Sequence, residues 1–132
     1  MDRSQIEQAL NCLYESRLDN DTNRCACCFA EDANISIAGT ESVNTKLGQA
    51  SIRDVVDQLI TIWHWEKREN IHVIVDGLNV AARYDLTVVY TPTNDRFTTQ
   101  IMDHIEFDEN LKIKHITEFV DTALIAKLTA SA

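Results

Sequence analysis

The sequence lacks the features by which nucleic-acid-binding, membrane-spanning and secreted proteins are usually identified. It has only 12 Lys and Arg residues against 21 acidic residues. The resulting net charge of −9 argues against nucleic acid or an anionic membrane as the main partner, because both need a basic patch. No apolar stretch approaches the roughly 20 residues of a membrane span. The N-terminal Met1-Asp2-Arg3-Ser4 lacks the apolar core of a signal peptide, which predicts a cytoplasmic protein.

Motifs for cofactors are also missing. No phosphate-binding loop, dinucleotide fingerprint or firm set of metal ligands is visible, so we expect no cofactor and no metal. Cys12 is followed by a tight group, Cys25, Cys27 and Cys28, which lacks a second ligand cluster of zinc-site spacing. Neighbours on one helix do not easily reach disulfide geometry. We interpret the cysteines as small buried apolar side chains, with metal binding or redox sensing as the alternatives.

The chain does contain the material for one core. Its 132 residues suffice for a single domain, residues 1–132, and its composition of 45% apolar and 25% charged residues is typical of a globular protein. Residues 71–121 are rich in β-branched and aromatic side chains, which favours strands. Turn signals divide this region at Asp76-Gly77, at Pro92 with Asn94-Asp95, and at Asp108-Glu109-Asn110. We therefore predict four consecutive antiparallel strands, at about 70–76, 78–91, 97–107 and 111–121.

Helical patterns precede these strands. Ser4-Gln5-Ile6-Glu7 is a capping box, and an apolar stripe predicts a first helix that ends near Leu18. We predict a second helix at about 22–30, a short strand at 34–37, a polar loop at 38–47 and a third helix at about 50–64. This order indicates an α+β fold with three N-terminal helices on one face of an antiparallel sheet. Strands as long as these normally twist and curl, which creates a concave side that can hold a ligand.

The third long strand carries a single acid on an otherwise apolar face. Asp103 shares that face with Ile101 and Ile105. A lone buried carboxylate is costly, so we expect Asp103 to line a pocket rather than the core. Desolvation disfavours the charged form, and we therefore predict a raised pKa for Asp103. Asp103 would then be a proton donor at neutral pH, and Glu118 is the alternative for this role.

The second long strand has two different faces. Arg83 and Asp85 point to one side, and we expect them to face the pocket. The opposite side would then face away from the pocket, and it is too apolar to remain wet. It consists of Val80, Ala82, Tyr84, Leu86, Val88 and Tyr90. We therefore predict a homodimer that covers this outer strip through a two-fold interface.

The order of these elements resembles a known family. Two helices, the segment Phe29-Ala30-Glu31-Asp32-Ala33, a third helix and a long-stranded meander are similar to the nuclear-transport-factor-like cone fold. The ending, from Phe107 to Ile113 and then Glu118-Phe119-Val120-Asp121, is similar to the last hairpin of its ketosteroid-isomerase-like and SnoaL-like, polyketide-cyclase-like members. The resemblance covers nearly the whole chain. It implies a strongly curved sheet wrapped round a pocket that the helices close, and commonly a homodimer.

The resemblance also implies roles for particular residues. Ketosteroid isomerases use a tyrosine and a protonated aspartate as an oxyanion hole, which Tyr14 and Asp103 match, but their catalytic base falls here at about Ile37. Limonene-epoxide-hydrolase-like enzymes use an Arg-x-Asp pair with a second acid. Arg83-Tyr84-Asp85 and Glu118 match that set.

SnoaL-like cyclases use a pocket Asp and His as acid and base. The candidates of the right type are Asp121, Asp103, His72 and His115, which cannot be assigned individually. The remaining candidates are apolar residues for the pocket wall. They are Phe29, Trp63, Ile101, Ile105 and Phe119.

Two interpretations of function follow. The first is a cofactor-independent enzyme that performs carboxylate acid–base chemistry on a hydrophobic organic molecule, as an isomerase, cyclase, lyase or epoxide-hydrolase type. The second is a non-catalytic ligand-binding or dimerisation module, because this fold hosts both. Under the second, Tyr14 is hydrogen-bonded to a neighbour, and Arg83 and Asp85 form a structural ion pair. Titration separates the two, because a working acid–base pair needs carboxyl groups whose pKa values are pushed apart.

Overall fold

Helices and a five-stranded sheet make up the part of the chain that the computed structural model describes, residues 2–39 and 51–130. The elements in chain order are α1 (Arg3–Leu18), α2 (Thr22–Ala26), β1 (Phe29–Ile37), α3 (Ile52–Ile62), β2 (Trp63–Asp76), β3 (Asn79–Tyr90), β4 (Asp95–Phe107), β5 (Ile113–Phe119) and α4 (Thr122–Ala130). None of the described helices is long and apolar enough to cross a membrane.

The sheet has the strand order β1-β5-β4-β3-β2. Strands β2 to β5 form the predicted antiparallel meander. Strand β1 lies parallel to β5, so the sheet is mixed rather than wholly antiparallel. Helices α1, α2 and α3 pack against one another and against β1 and β2, and this confirms the predicted α+β class.

Irregular pairing bends the outer strands. The register of β1 shifts between Phe29 and Asn34, and that of β2 shifts between Glu69 and His72. Asn70 lies inside the second irregularity, with a left-handed φ of 53° that asparagine tolerates better than most residues. Such bulges bend a strand and increase its twist, which gives the sheet its curvature.

Several element boundaries differ from the prediction. The third helix ends at Ile62 rather than near residue 64, and β2 begins at Trp63 rather than near residue 70, because Trp63 pairs with Tyr90 of β3. The second helix stops at Ala26, and β1 then begins at Phe29 rather than at 34. Most of the predicted loop at 38–47 and the predicted start of the third helix at 50 lie outside the described residues.

The N-terminal caps of two helices differ from the prediction. Helix α1 is capped by Asp2 rather than Ser4: the Asp2 carboxylate accepts the Gln5 N–H at 3.0 Å, and the Gln5 side chain accepts the Asp2 N–H at 3.2 Å. Helix α4 was not predicted, and its cap, Asp121, was assigned to the end of the last strand. The Asp121 carboxylate accepts the Leu124 N–H at 3.1 Å and so begins this helix.

The core lies between the helices and the inner face of the sheet. Its helical members share one stripe on α1 and another on α3, and include Ile6, Leu10, Leu13, Val56 and Ile60. The strip of β3 that was predicted to face outward belongs to this core. Val80, Ala82, Tyr84, Leu86, Val88 and Tyr90 are all at most 5% exposed. The predicted dimer strip is therefore wrong, because the helices already cover it.

The four cysteines are all free thiols. Cys25 and Cys28 are buried as predicted, whereas Cys27 is exposed, which corrects the prediction at that position. The Cys28 Sγ lies 3.5 Å from the Sγ of Cys12. Burial and the neighbouring Cys12 thiol raise the pKa of Cys28 to about 12, so this thiol stays protonated at neutral pH. Within the described ranges, no three His, Cys, Asp or Glu side chains are placed to hold a metal ion.

The hairpin between β2 and β3 is closed by a tight turn at Gly77. Asp76 pairs with Asn79, so Gly77 and Leu78 form a two-residue turn, and only Gly77 has positive φ, at 60°. This is the type II′ pattern, in which an L-side chain at the first position is strained. A Cβ at Gly77 would meet nothing within 4 Å, so only the backbone opposes it.

We therefore expect Gly77→Ala to lower the free energy of unfolding by about 1–2 kcal/mol. Urea denaturation measures this loss. Asp76→Ala, at the exposed neighbouring position, serves as the control and should change stability by less than about 0.5 kcal/mol. Equal stability of Gly77→Ala and the native protein would show that the turn is not the strained type.

Candidate functional site

A cavity of about 250 Å³ lies between the helices and the inner face of the sheet. Its wall is mainly aromatic and aliphatic, with Trp63, Trp65, Leu86, Tyr90, Phe97 and Ile101 among the lining residues. The charged side chains in the wall are Arg17, Glu118 and Asp121. A smaller space of about 30 Å³ adjoins it, reaches Tyr14 and Asp103, and shares Arg17, Trp65 and Glu118 with the main cavity. The site is thus an apolar chamber with a few ionisable groups at its inner end.

Asp103 is the centre of a hydrogen-bond network below the cavity. The Tyr14 hydroxyl donates to Asp103 Oδ2 at 2.7 Å, and the Tyr84 hydroxyl donates to the same oxygen at 2.7 Å. Asp103 is 1% exposed, and its Oδ1 is buried with no hydrogen-bond partner among the described residues. One carboxylate oxygen is therefore satisfied twice, and the other not at all.

The register of the sheet brings these groups together. Asp103 on β4 is paired with Ala82 on β3, so Tyr84, two residues further along β3, points to the same inner face. Asp103 is also paired with Glu118 on β5, which places the two acids on neighbouring strands. Tyr14 comes from the buried stripe of α1. Three strands and one helix therefore contribute one polar group each.

Burial controls the ionisation of this network. It raises the pKa of Asp103, as predicted, while the hydrogen bonds from Tyr14 and Tyr84 and the charges of Arg17 and Arg68 oppose the rise. Burial also raises the pKa of both tyrosines well above the ordinary value, and the nearby Asp103 adds to this effect. Both hydroxyls therefore remain protonated donors.

Glu118 is the second acid of the site. It is half-buried at the cavity wall, and burial followed by the negative charge of Asp103 raises its pKa to about 8, with Arg17 opposing. Because the charge of Asp103 acts on Glu118, Asp103 is the acid that ionises first. With a pKa of about 8, Glu118 is mostly protonated at neutral pH, and it keeps its proton to a higher pH than Asp103 does.

Two arginines that the sequence analysis did not single out belong to the site. The Arg17 guanidinium lies 4.4 Å from the centre of the Trp65 ring. The Arg68 guanidinium lies 3.6 Å from the centre of the Tyr14 ring and 4.4 Å from that of Tyr84. The one available signal was spacing, because Arg17 follows Tyr14 by three residues and so shares its helix face.

The structure brings together part of the predicted set. Tyr14 and Asp103 touch, Glu118 lies beside them, and Trp63 and Ile101 line the main cavity. Asp121 borders the cavity, where it is exposed and caps α4. Phe29 lines the smaller space.

Four predicted placements are wrong. Arg83 and Asp85 lie on the outer face of β3, because the apolar residues that alternate with them are buried against the helices. Asp85 accepts a hydrogen bond from the Asn70 side chain at 2.8 Å there. Phe119 also points outward, with 48% exposure, and Ile105 is enclosed in the core away from the cavity wall.

The remaining family positions are informative. Ile37, where a ketosteroid-isomerase-like base would fall, lines the cavity and carries no acid. His72 is exposed on β2, and His115 contacts Thr117 Oγ1 at 2.9 Å through its Nε2. Neither histidine lines the cavity, and among the described residues the side chains there that can carry a charge near neutral pH are Glu118, Arg17 and Asp121.

Comparison with known proteins identifies related folds. A family described as a SnoaL-like domain matches residues 11–116. No curated protein sequence matches the chain. A proposed isomerase from Bacillus subtilis has a similar structure, with a TM-score of 0.77 and 13% identity over 100% of this chain and 98% of that one.

Two further solved structures are similar. A proposed polyketide cyclase from Xanthomonas campestris pv. campestris has a TM-score of 0.72 and 15% identity, over 92% of this chain and 93% of that one. The BvnE pinacolase from Penicillium brevicompactum has a TM-score of 0.72 and 16% identity, over 97% and 94%. At these identities, the likeness shows a shared fold.

The network at Asp103 generates a test of stability. Tyr84→Phe removes one of the two donors to a buried carboxylate, and we expect the free energy of unfolding to fall by about 1–3 kcal/mol. Tyr90→Phe is the matched control on the same strand face, because the Tyr90 hydroxyl makes no hydrogen bond to the described residues. Urea denaturation of both variants is the measurement. Equal losses would show that the hydroxyl of Tyr84 contributes nothing specific.

Proposed function

The chain belongs to the SnoaL-like domain family, and on this premise we propose that it is a cofactor-independent enzyme acting on a hydrophobic organic molecule. The reaction is acid–base chemistry inside the apolar cavity. Glu118 is the catalytic acid, and Asp103 with Tyr14 and Tyr84 is the group that sets its protonation. The related structures include proteins named as isomerase, polyketide cyclase and pinacolase, which supports a reaction class of this kind.

The observation that carries the proposal is the pair of carboxyl groups on β4 and β5. They are paired across the two strands, and burial together with the negative charge of Asp103 raises the pKa of Glu118 to about 8. A group with a pKa near the working pH is the most effective proton donor or acceptor. A structural acid does not need such a value, and a pocket that only holds apolar ligands does not need an acid.

The chemistry follows from this arrangement. An apolar molecule enters the cavity, and its carbonyl or leaving oxygen accepts a hydrogen bond from the protonated Glu118. Glu118 transfers its proton to that oxygen, and the carboxylate that remains on Glu118 then takes the proton from the neighbouring carbon, which restores the acid. Arg17 at the same wall stabilises the transient carboxylate of Glu118. Two tyrosine hydroxyls donate to Asp103 and favour its ionised form against the effect of burial.

The reaction type narrows to isomerase, cyclase or lyase. The epoxide-hydrolase interpretation depended on the Arg83 and Asp85 pair acting in the cavity together with Glu118, and both members of the pair lie on the outer face of β3. Loss of a proton beside a carbonyl and its return elsewhere is isomerisation. Loss of a proton together with a leaving oxygen is elimination, and both use one acid that donates and then accepts.

We expect wild-type protein to accelerate the exchange of the benzylic protons of 1-phenyl-2-propanone with solvent deuterium, measured by proton NMR. Glu118→Gln should lower this rate by about a hundredfold or more, because it cannot donate a proton. The wild-type rate should fall as pH rises through about 8, where Glu118 ionises and ceases to be an acid. The groups that face Glu118 are Asp103, Arg17 and Asp121.

Glu109→Gln, in the exposed turn after β4, is the control and should keep the full rate. Binding of the ketone without exchange would favour the alternative, a non-catalytic ligand-binding module. A rate that rises through pH 8 would contradict the acid role of Glu118 and make it a base.

We also propose a homodimer through the outer sheet face, now with different residues. Met102 and Phe119 are neighbours across β4 and β5 and are 41% and 48% exposed, and Ile74 on β2 is 70% exposed. Exposed apolar side chains grouped on one sheet face are typical of an interface. The cytoplasmic location expected from the sequence stays a prediction.

Sedimentation velocity tests the dimer. We expect a dimer at micromolar concentration and a monomer for Phe119→Asp, because a buried interface does not accept an unpaired charge. Asn110→Asp, in the exposed turn, adds the same charge away from the face and should leave the dimer intact. A wild-type monomer would contradict the proposal.

A further inference from the structure

Arg17 carries a polar group that the fold does not satisfy. The residue is 9% exposed, and its Nε is buried with no hydrogen-bond partner among the described residues. It lines both the main cavity and the smaller space beside Asp103. Leaving a buried charged donor without a partner is costly, so a side chain held in this way indicates a missing ligand group.

The contacts that hold Arg17 leave its donors available. Its guanidinium stacks on Trp65, and stacking uses the face of the group, whereas the N–H donors lie in its plane. In the ranges 2–39 and 51–130, no carboxylate lies within ion-pairing distance of Arg17. The indole therefore fixes the position of the cation but does not neutralise it.

The charge balance of the inner end points the same way. Arg68 stacks on both tyrosines that hold Asp103, so the charge of Asp103 has a cation nearby. Glu118 is protonated at neutral pH and supplies no negative charge. Arg17 and Arg68 both act on the charge of Asp103, so two cations share one carboxylate and one positive charge is left over. An unpaired buried charge is the arrangement that proteins avoid unless a ligand completes it.

We propose that Arg17 is the anion-binding residue of the cavity and that the substrate is an apolar organic molecule that carries a carboxylate. The planar fork of a guanidinium matches the two oxygens of a carboxylate. The apolar body of the ligand lies against the aromatic wall of Trp63, Tyr90 and Phe97. That the bound molecule is a substrate rests on the proposed function. That the cavity binds an organic anion does not depend on it.

Long-range attraction does not explain such binding. The chain has a net charge of −9, so the protein as a whole repels anions at low salt. Selectivity for a carboxylate must therefore come from direct contact with Arg17. Added salt should leave the affinity for the anion unchanged or improve it, because it screens the repulsion more than the buried contact.

A pair of ligands tests the proposal on the native protein. 3-Phenylpropionate and 3-phenylpropanamide share one apolar body and differ in the charge of the head group. The two tryptophans of the chain, Trp63 and Trp65, both line the cavity, so their fluorescence reports binding. We expect the carboxylate to bind about tenfold more tightly than the amide. Equal dissociation constants would overturn the proposal.

Variants on one helix assign the effect to Arg17. Arg17→Met keeps much of the apolar stem and should abolish the preference for the carboxylate, and Arg17→Lys keeps the charge and should retain part of it. Arg3→Met is the matched control, because Arg3 is exposed on α1 and paired with Glu7. If circular dichroism shows that Arg17→Met is unfolded, the two ligands are compared on native protein and on Arg17→Lys instead. A preference for the carboxylate that is equally strong in both would contradict the role of the guanidinium.

Glu118→Gln separates this proposal from the proposed function. If native protein prefers the carboxylate, and exchange is lost in Glu118→Gln but kept in Glu109→Gln, both the anion site and the proposed function are supported. If native protein prefers the carboxylate but exchange does not depend on Glu118, the anion site is supported and the role of Glu118 as catalytic acid is overturned. Exchange that depends on Glu118 without any preference for the carboxylate overturns the anion site alone.

Discussion

A carboxylate held between two tyrosine hydroxyls, almost out of reach of solvent, is the interaction on which the site depends. Asp103 Oδ2 accepts from Tyr14 and from Tyr84, so α1, β3 and β4 meet at one oxygen atom. A shift of any of them would leave a buried acid short of a donor, which costs more than a surface hydrogen bond gains. The network therefore fixes the position of the helix over the sheet and the ionisation of the acid together.

The electrostatics of the cavity follow from that fixed charge. Burial, and then the negative charge of Asp103 on the neighbouring strand, raises the pKa of Glu118 to about 8. Two acids in different environments divide the roles of charge holder and proton donor, which is how one site carries out acid and base steps near neutral pH. The two arginines lie over aromatic rings and form no direct ion pair with these acids, so their charges oppose the rise in the pKa of Asp103 without cancelling it.

The sequence was sufficient for features that depend on local pattern. Alternation and turn residues predicted the meander of β2 to β5, and the apolar neighbours of Asp103 predicted its burial beside Tyr14. The prediction for β3 was wrong because the family's Arg-x-Asp motif was given more weight than the apolar pattern of the strand. Arg83 and Asp85 were predicted to face the cavity, although the opposite face, which carries Tyr84, is the more apolar one. The parallel pairing of β1 and the stacking of Arg17 on Trp65 are contacts distant in sequence, and no local period encodes them.

The central claim is that Asp103 and Glu118 form one coupled pair in which Glu118 holds the proton. Carbon-detected NMR titration of the side-chain carboxyl groups, in native protein and in Asp103→Asn, tests it directly. The account predicts a Glu118 pKa of about 8 in native protein and a lower value in Asp103→Asn, because the charge of Asp103 is one cause of the rise and burial is the other. A Glu118 that titrates near its ordinary value of 4.5 in native protein, or that does not move in Asp103→Asn, would contradict it.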